Sequence, residues 1–403
     1  MSCEWWHAWA VKSAQPPPSL KALVSDLSAS RLYLSPPNVT DLEIDAVVSA
    51  LRSGWVAPLG PEVDAFEGDT ASFCGADHAV ALSSGTAALH LGLLALGVGP
   101  EDEVVVPTMT FGATAFAVTY VGAAPVFLDI EAESWNLDPE VLEAFLVHRA
   151  STGHLPAAII TVDVFGRPCD YDRIRQIADR YEVPVLADAA EALGASNGGR
   201  PCGSFGHASV ISFNGNKIMT TSGGGMLLTD DAAMAEKVRF WATQSRENAP
   251  WYEHEEIGYN DRMSNILAAL GRAQLSRLTD MIERRRQIRD RYAEHLGSVS
   301  GVQVLGDPPW GRSNAWLTTV RFDPSLHPDA PTRIRVLLES ENIESRPVWK
   351  PMHQQPVFAR SESYLTGMAD AVFAEGLCLP SGVAMTDDDV DRVAGLVLQG
   401  LGA

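Results

Sequence analysis

The sequence predicts an α/β protein: a large domain with a central, mostly parallel sheet flanked by helices, followed by a smaller C-terminal α+β domain. Two patterns in its 403 residues carry this expectation. Short apolar runs alternate with stretches of helical periodicity. The runs are continuous rather than alternating in polarity, as strands buried on both faces require.

The elements follow in order. "HAVALSS" precedes the helical pattern "TAALHLGLLALG"; "DEVVVPT" precedes "FGATAFAVTYVG"; "APVFLDI" follows. Next, "AAIITVDVFG" precedes "DYDRIRQIADRYE", and "VPVLADAA" is another strand run. Right-handed crossovers between such strands place their C-terminal ends along one edge of the sheet. In "LTDMIERRRQIRDRYAEHL", Leu278, Met281, Ile282, Ile288, Tyr292 and Leu296 recur at helical spacing, which predicts one long helix joining the two domains. Its arginine run is expected to be the solvated face. Beyond about residue 300 come "NAWLTTVRF", the helix "TRIRVLLESENI" and the closing "DDDVDRVAGLVLQGL". The expected division is an extension over 1–31, a large domain over 32–277 and a small domain over 278–403. The extension holds a Trp-rich start and "QPPP", which reads as a stiff linker.

Composition narrows the function classes. With 46% hydrophobic and 20% charged residues the chain reads as a soluble globular protein. A net charge of −21 argues against nucleic acid as a partner, so an anionic small molecule needs a local concentration of Arg or Lys. No apolar run approaches the roughly 20 residues of a membrane-spanning helix. The first residues lack the basic and apolar regions of a signal peptide. The five cysteines are scattered and form no C-x-x-C pair, so neither a disulfide framework nor a metal site is expected, and the expected compartment is the cytoplasm.

In open α/β sheets ligands bind beyond the carboxyl ends of the strands, and four features fall there. Gly85 and Thr86 open a helix after a strand, which suits a phosphate, although ordinary capping by Ser84 or Thr86 explains the same residues. Asp188 ends a hydrophobic strand and must be paired: with a protonated ring nitrogen, a metal, or the start of a following helix. Phe111 follows a strand, as a core residue or an aromatic plate. Lys217 lies in the loop "SFNGNKIMTTSGGGM", where a lone cation beside a core is costly unless something uses it. Together these are the groups needed to hold pyridoxal phosphate: helix start for the phosphate, plate for the ring, carboxylate for the pyridinium nitrogen, and lysine for a Schiff base to the aldehyde. A nucleotide-binding oxidoreductase fits less well, because "SGGGM" precedes a strand and not a helix. A fold retained for regulation without turnover is a further alternative.

From about residue 32 to the C-terminus the sequence resembles the DegT/DnrJ/StrS group of sugar aminotransferases, which have the type I aspartate aminotransferase fold. The resemblance is carried by "SGWVAPLGPEVDAFE", "SSGTAALHLGL", "PTMTFGATAFAV", "ADAAEALGA", "SFNGNKIMTTSGGGML", "EIGYNDRMSNILAALGRAQL" and "PMHQQPVF". It implies Lys217 as the Schiff-base lysine and Asp188 as partner of the pyridine nitrogen. It implies Phe111 as the stacking aromatic and Gly85, Thr86 and Ser212 as phosphate ligands. Asn260 would reach the phosphate from a neighbouring subunit of a homodimer with shared sites. Glu191 stands where the family commonly has Gln near the cofactor's phenolic oxygen, and Asp261 where it usually has an aromatic or small residue. Lys217, where deoxygenating relatives have His, favours transamination. The implied reaction passes an amino group from L-glutamate through pyridoxamine phosphate to a nucleotide-linked keto sugar. The stretch "FWATQSRENAPWYEHEEIGYN" resembles members acting at C4 of UDP-linked 4-keto-6-deoxy-N-acetylhexosamines; reaction at C3, or on an antibiotic-pathway sugar, is the alternative. Candidate substrate contacts are Trp55, Arg246, Arg262 and His353.

Overall fold

The structure, a computed structural model, describes residues 31–402, so the Trp-rich start and the proline linker lie outside the described residues. Eight strands form the main sheet: β1 (His78–Leu82), β2 (Glu103–Pro107), β3 (Ala124–Leu128), β4 (Ala158–Val162), β5 (Val185–Asp188), β6 (Ala208–Ser212), β7 (Gly225–Thr229) and β8 (Ser363–Tyr364). Their spatial order is β1-β7-β6-β5-β4-β2-β3-β8. All neighbours are parallel except those of β7, which runs antiparallel to both β1 and β6. The mostly parallel sheet expected from the continuous apolar runs is therefore present. Those runs are buried because helices such as Gly85–Ala95, Gly112–Tyr120 and Tyr171–Arg180 follow the strands and cover them.

A second, antiparallel sheet places Thr318–Phe322 between Val302–Val304 and Gly376–Leu379, with Arg346–Pro347 beyond the latter. Its core of Ile288, Tyr292, Val320, Phe322, Ile334 and Val393 is closed by the helices Leu278–Leu296, Ala330–Ser340 and Asp387–Leu401. Among the described residues no helix is long and apolar enough to cross a membrane. Cys74, Cys169, Cys202 and Cys378 are buried free thiols.

The long helix buries the six apolar residues expected of it, but its arginine run is not simply a solvated face. Arg285 is 1% exposed and donates to the carbonyls of Trp316 (2.6 Å) and Ser381 (2.9 Å) and to Ser35 Oγ (3.1 Å). It stands three residues after Ile282 and three before Ile288, on the inward stripe of the helix. Burial without a carboxylate pushes its guanidinium down to about 9.

The two sheets are tied together by β8, which comes from the C-terminal region yet pairs with β3. Fully buried Asp129 holds that return. Its carboxylate accepts from the backbone N–H groups of Thr366, Gly367, Met368 and Ala369 at 2.7 to 3.2 Å, and from Thr366 Oγ1 at 3.0 Å. A carboxylate at the start of the helix Met368–Glu375 is favoured by that helix's dipole as well as by the bonds. Asp129→Ala should lower the unfolding free energy in urea by about 3 kcal/mol, since it strands several buried donors at once. Asp129→Asn should fall between that variant and the native chain, and a native midpoint for the alanine variant would refute this role.

Candidate active site

A cavity of about 1020 Å³ opens at the C-terminal ends of β4, β5 and β6 and is lined by Gly85, Thr86, Phe111, Asp188, Glu191, Ser212 and Lys217. One end suits an anion. Ser84 caps the helix Gly85–Ala95 by accepting from Ala87 N at 3.0 Å, so the capping reading of this motif is realised, by Ser84. The first N–H groups of the helix remain without partners inside it. Close approach is built in. A Cβ on Gly225 would overlap the Ser84 carbonyl carbon, and one on Gly85 would stand 3.0 Å from Ser212 Cβ.

Asp188 ends β5, opposite Val162 of β4 and Val210 of β6. Its Oδ2 accepts from Thr114 Oγ1 (2.7 Å) and its Oδ1 from Ala190 N (3.2 Å). Thr114 is itself bonded to Thr110 at 2.7 Å. Burial raises the Asp188 carboxyl, and the Thr114 bond opposes this. No helix follows it: residues 189–195 are turns and irregular chain, so the capping alternative for Asp188 falls away. Phe111 is 61% exposed, which removes the core alternative for it. Its ring lies 5.9 Å from that of Trp349, which lies 4.8 Å from that of Phe165.

Lys217 Nζ donates to Glu191 Oε1 at 2.8 Å and stands 4.4 Å from the centre of the Trp316 ring; its side chain is 11% exposed. The loop bearing it is clamped at the carbonyl of Asn216, which accepts from both Ser35 Oγ and Trp316 Nε1 at 2.8 Å. Glu191 is held equally firmly. Its Oε2 accepts from Phe165 N at 2.8 Å, its carbonyl from Asn314 Nδ2 at 2.7 Å. Phe165 and Gly166 have φ of 55° and 83°, and a Cβ on Gly166 would collide with Asn314 Oδ1, so only glycine fits there. Burial pushes the Glu191 carboxyl up to about 7, against the pull of Lys217.

This donor set fits a phosphorylated pyridine aldehyde. The helix start and Ser212 suit its phosphate, Phe111 its ring face, Asp188 its ring nitrogen and Lys217 its aldehyde carbon. The other candidates lie away from the cavity wall. Asn260 is exposed and bridges Thr243. Arg262 turns inward to Glu67 (2.5 Å) and the Ala81 carbonyl (3.0 Å). Exposed Arg246 covers the Tyr252 ring, and Trp55 is half exposed. His353 clasps Thr108 Oγ1 (2.7 Å) and Asp370 (2.9 Å). Sequence reasoning missed Thr114, Asn314, Trp316 and Trp349. Only Thr114 left a local signal, one helical turn after Thr110.

Residues 37–398 match the model of the DegT/DnrJ/EryC1/StrS aminotransferase family. The chain is 46% identical over 372 residues to EpsN of Bacillus subtilis, assigned by name to the pyridoxal phosphate-dependent aminotransferases, with 91% of this chain and 95% of that one covered. It is 38% identical over 373 residues to the GDP-perosamine synthase of Caulobacter vibrioides, covering 92% and 98%. Among solved structures, Spr1654 of Streptococcus pneumoniae, assigned by name to the sugar aminotransferases, superposes in its PLP form with a TM-score of 0.84 at 28% identity, covering 92% of this chain and 99% of that one; a PMP form of it is also known. Motif, fold and cavity thus agree, and this chain belongs to the DegT/DnrJ/EryC1/StrS family as a pyridoxal phosphate-dependent sugar aminotransferase.

Proposed function

We propose that this enzyme transfers an amino group from L-glutamate to C4 of a nucleotide-linked 4-keto sugar, a UDP-linked 4-keto-6-deoxy-N-acetylhexosamine being the first substrate to test. The observation that carries the reading is the Lys217 amine held at 2.8 Å by buried Glu191 in the same cavity as Asp188. The C4 assignment is supported by the resemblance of residues 240–260. A GDP-linked keto sugar is the second reading, favoured by the name of the Caulobacter relative.

The bound coenzyme would supply a carbonyl that takes up the amino group and a ring that accepts electrons from the broken Cα–H bond. Lys217 is the covalent attachment point. Its Nζ would also serve as the general acid–base that takes a proton from the donor's Cα and delivers one to the sugar carbon. Glu191 keeps that amine aimed into the cavity through the exchange. Asp188, fixed by Thr114 Oγ1, would hold a proton on the ring nitrogen of the bound coenzyme. Asn260, exposed and away from the cavity wall, is suited to serve a second copy's site in a homodimer.

Lys217→Ala should retain coenzyme non-covalently yet show no multiple turnover with glutamate and a panel of UDP- and GDP-linked keto sugars. Borohydride reduction of the native enzyme should mark the peptide holding residue 217. Turnover by the variant, or a mark elsewhere, would reject the assignment; a native enzyme that binds coenzyme but aminates no sugar would favour the regulatory alternative.

A second test uses coenzyme-free protein. With its carboxyl raised from 4.5 to about 7, native Glu191 keeps a proton between those values that the unfolded chain releases. The stability this contributes is complete below about 4.5 and lost as pH rises through about 7. Glu191→Gln does not titrate. The stability of the native chain relative to the variant, from urea unfolding, should therefore decline across that window; a flat or rising difference would mean that Glu191 is ionised throughout.

A further inference from the structure

Resting on the reading above, we infer that Arg346 and Lys350, at the rim of the cavity, take the diphosphate of the nucleotide-linked substrate, with Glu344 as the positioning residue that presents Arg346. The argument begins with charge. In a chain of net charge −21, a dianionic diphosphate needs a local cationic site. Among the described residues lining the cavity only Lys217, Arg346 and Lys350 are cationic, against Asp188, Glu191 and Glu344. Lys217 is held by Glu191, which leaves Arg346 and Lys350.

Their placement fits. Both belong to one short segment, Arg346–Lys350, whose Trp349 ring lies 5.9 Å from that of Phe111, the expected plate for the coenzyme ring. The two cations therefore flank the approach to the reacting centre while staying at its outer side: the Arg346 side chain is 66% exposed and Lys350 is also exposed. That is where the diphosphate of a nucleotide sugar must lie if its hexose ring reaches Lys217. At about 1020 Å³ the cavity stands at the upper end of small-molecule pockets, larger than an amino acid needs.

Glu344 sets the direction of the guanidinium. One oxygen accepts from Arg346 Nε (3.0 Å) and Nη2 (2.9 Å), and the other from Leu34 N (3.1 Å), in the neighbouring segment whose Leu32 bridges Ile343. An exposed pair of this kind contributes little by itself. It leaves Arg346 Nη1 free to turn to an anion, and a guanidinium fork matches phosphate oxygens better than a single ammonium does.

The test is calorimetry on the holoenzyme with UDP and GDP as probes and uridine and guanosine as references. The double variant Arg346→Ala/Lys350→Ala should bind both diphosphates about tenfold or more weakly, with nucleoside affinity unchanged and a shallower dependence on NaCl. Arg346→Lys should fall in between. Arg312→Ala, exposed and outside the cavity wall, should match the native enzyme and controls for folding. Unaltered UDP and GDP affinity in the double variant, or no binding of either by the native enzyme, overturns the inference. So does an equal loss of glutamate affinity in a spectral titration, which would assign the cations to the donor's carboxylates. Failure to aminate any keto sugar would instead sink the functional reading, and leaves the diphosphate measurement standing as a separate result.

Discussion

The cavity depends on one buried contact, the ion pair between Lys217 and Glu191. Neither partner is tolerable alone at this depth, because an uncompensated charge in a low-dielectric interior costs several kcal/mol. The contact therefore fixes both strand-end loops relative to each other: the turn after β5 that carries Glu191 and the loop after β6 that carries Lys217. It also leaves the site responsive. Burial pushes the Glu191 carboxyl up to about 7, so the charge of this partner changes within the neutral pH range.

Holding two opposed side chains so closely requires support from outside the sheet. That support comes from the segment Asn314–Trp316, which precedes the central strand of the smaller sheet. Asn314 bonds the turn bearing Glu191, Trp316 lies against the ammonium of Lys217, and the same indole fixes the Asn216 carbonyl. Behind them, Arg285 bonds the Trp316 carbonyl from the long helix. A guanidinium with no carboxylate, donating to two carbonyls and a serine hydroxyl on three segments, acts as a polar rivet between elements that apolar packing alone would not orient. The left-handed backbone at Phe165 and Gly166 is the local strain accepted in return for an N–H aimed at Glu191.

Much of this was legible in the sequence, for identifiable reasons. The parallel strands are continuous apolar runs, and Asp188 and Lys217 stand out because charged residues at the ends of such runs need an explanation. Where reading failed, the missing information was long-range. Asn314 touches Glu191 across 123 residues, and nothing near residue 314 signals it. "AEALGA" looks helical, but Gly194 at φ 80° and the Asn314 bonds hold it as a turn. Arg285 is a different case: its spacing from Ile282 and Ile288 already placed it on the buried stripe, and the charge of the run obscured the period.

The short strand β8 has a consequence for how the molecule comes apart. By closing the edge of the main sheet with a piece of chain from late in the sequence, it stitches both hydrophobic interiors together through its hydrogen bonds to β3. Local opening of the smaller layer must then either tear that seam or carry the sheet edge with it, which favours collective over piecemeal breathing. The seam also leaves only two residues at that border, too little exposed ladder to template the growth of another chain.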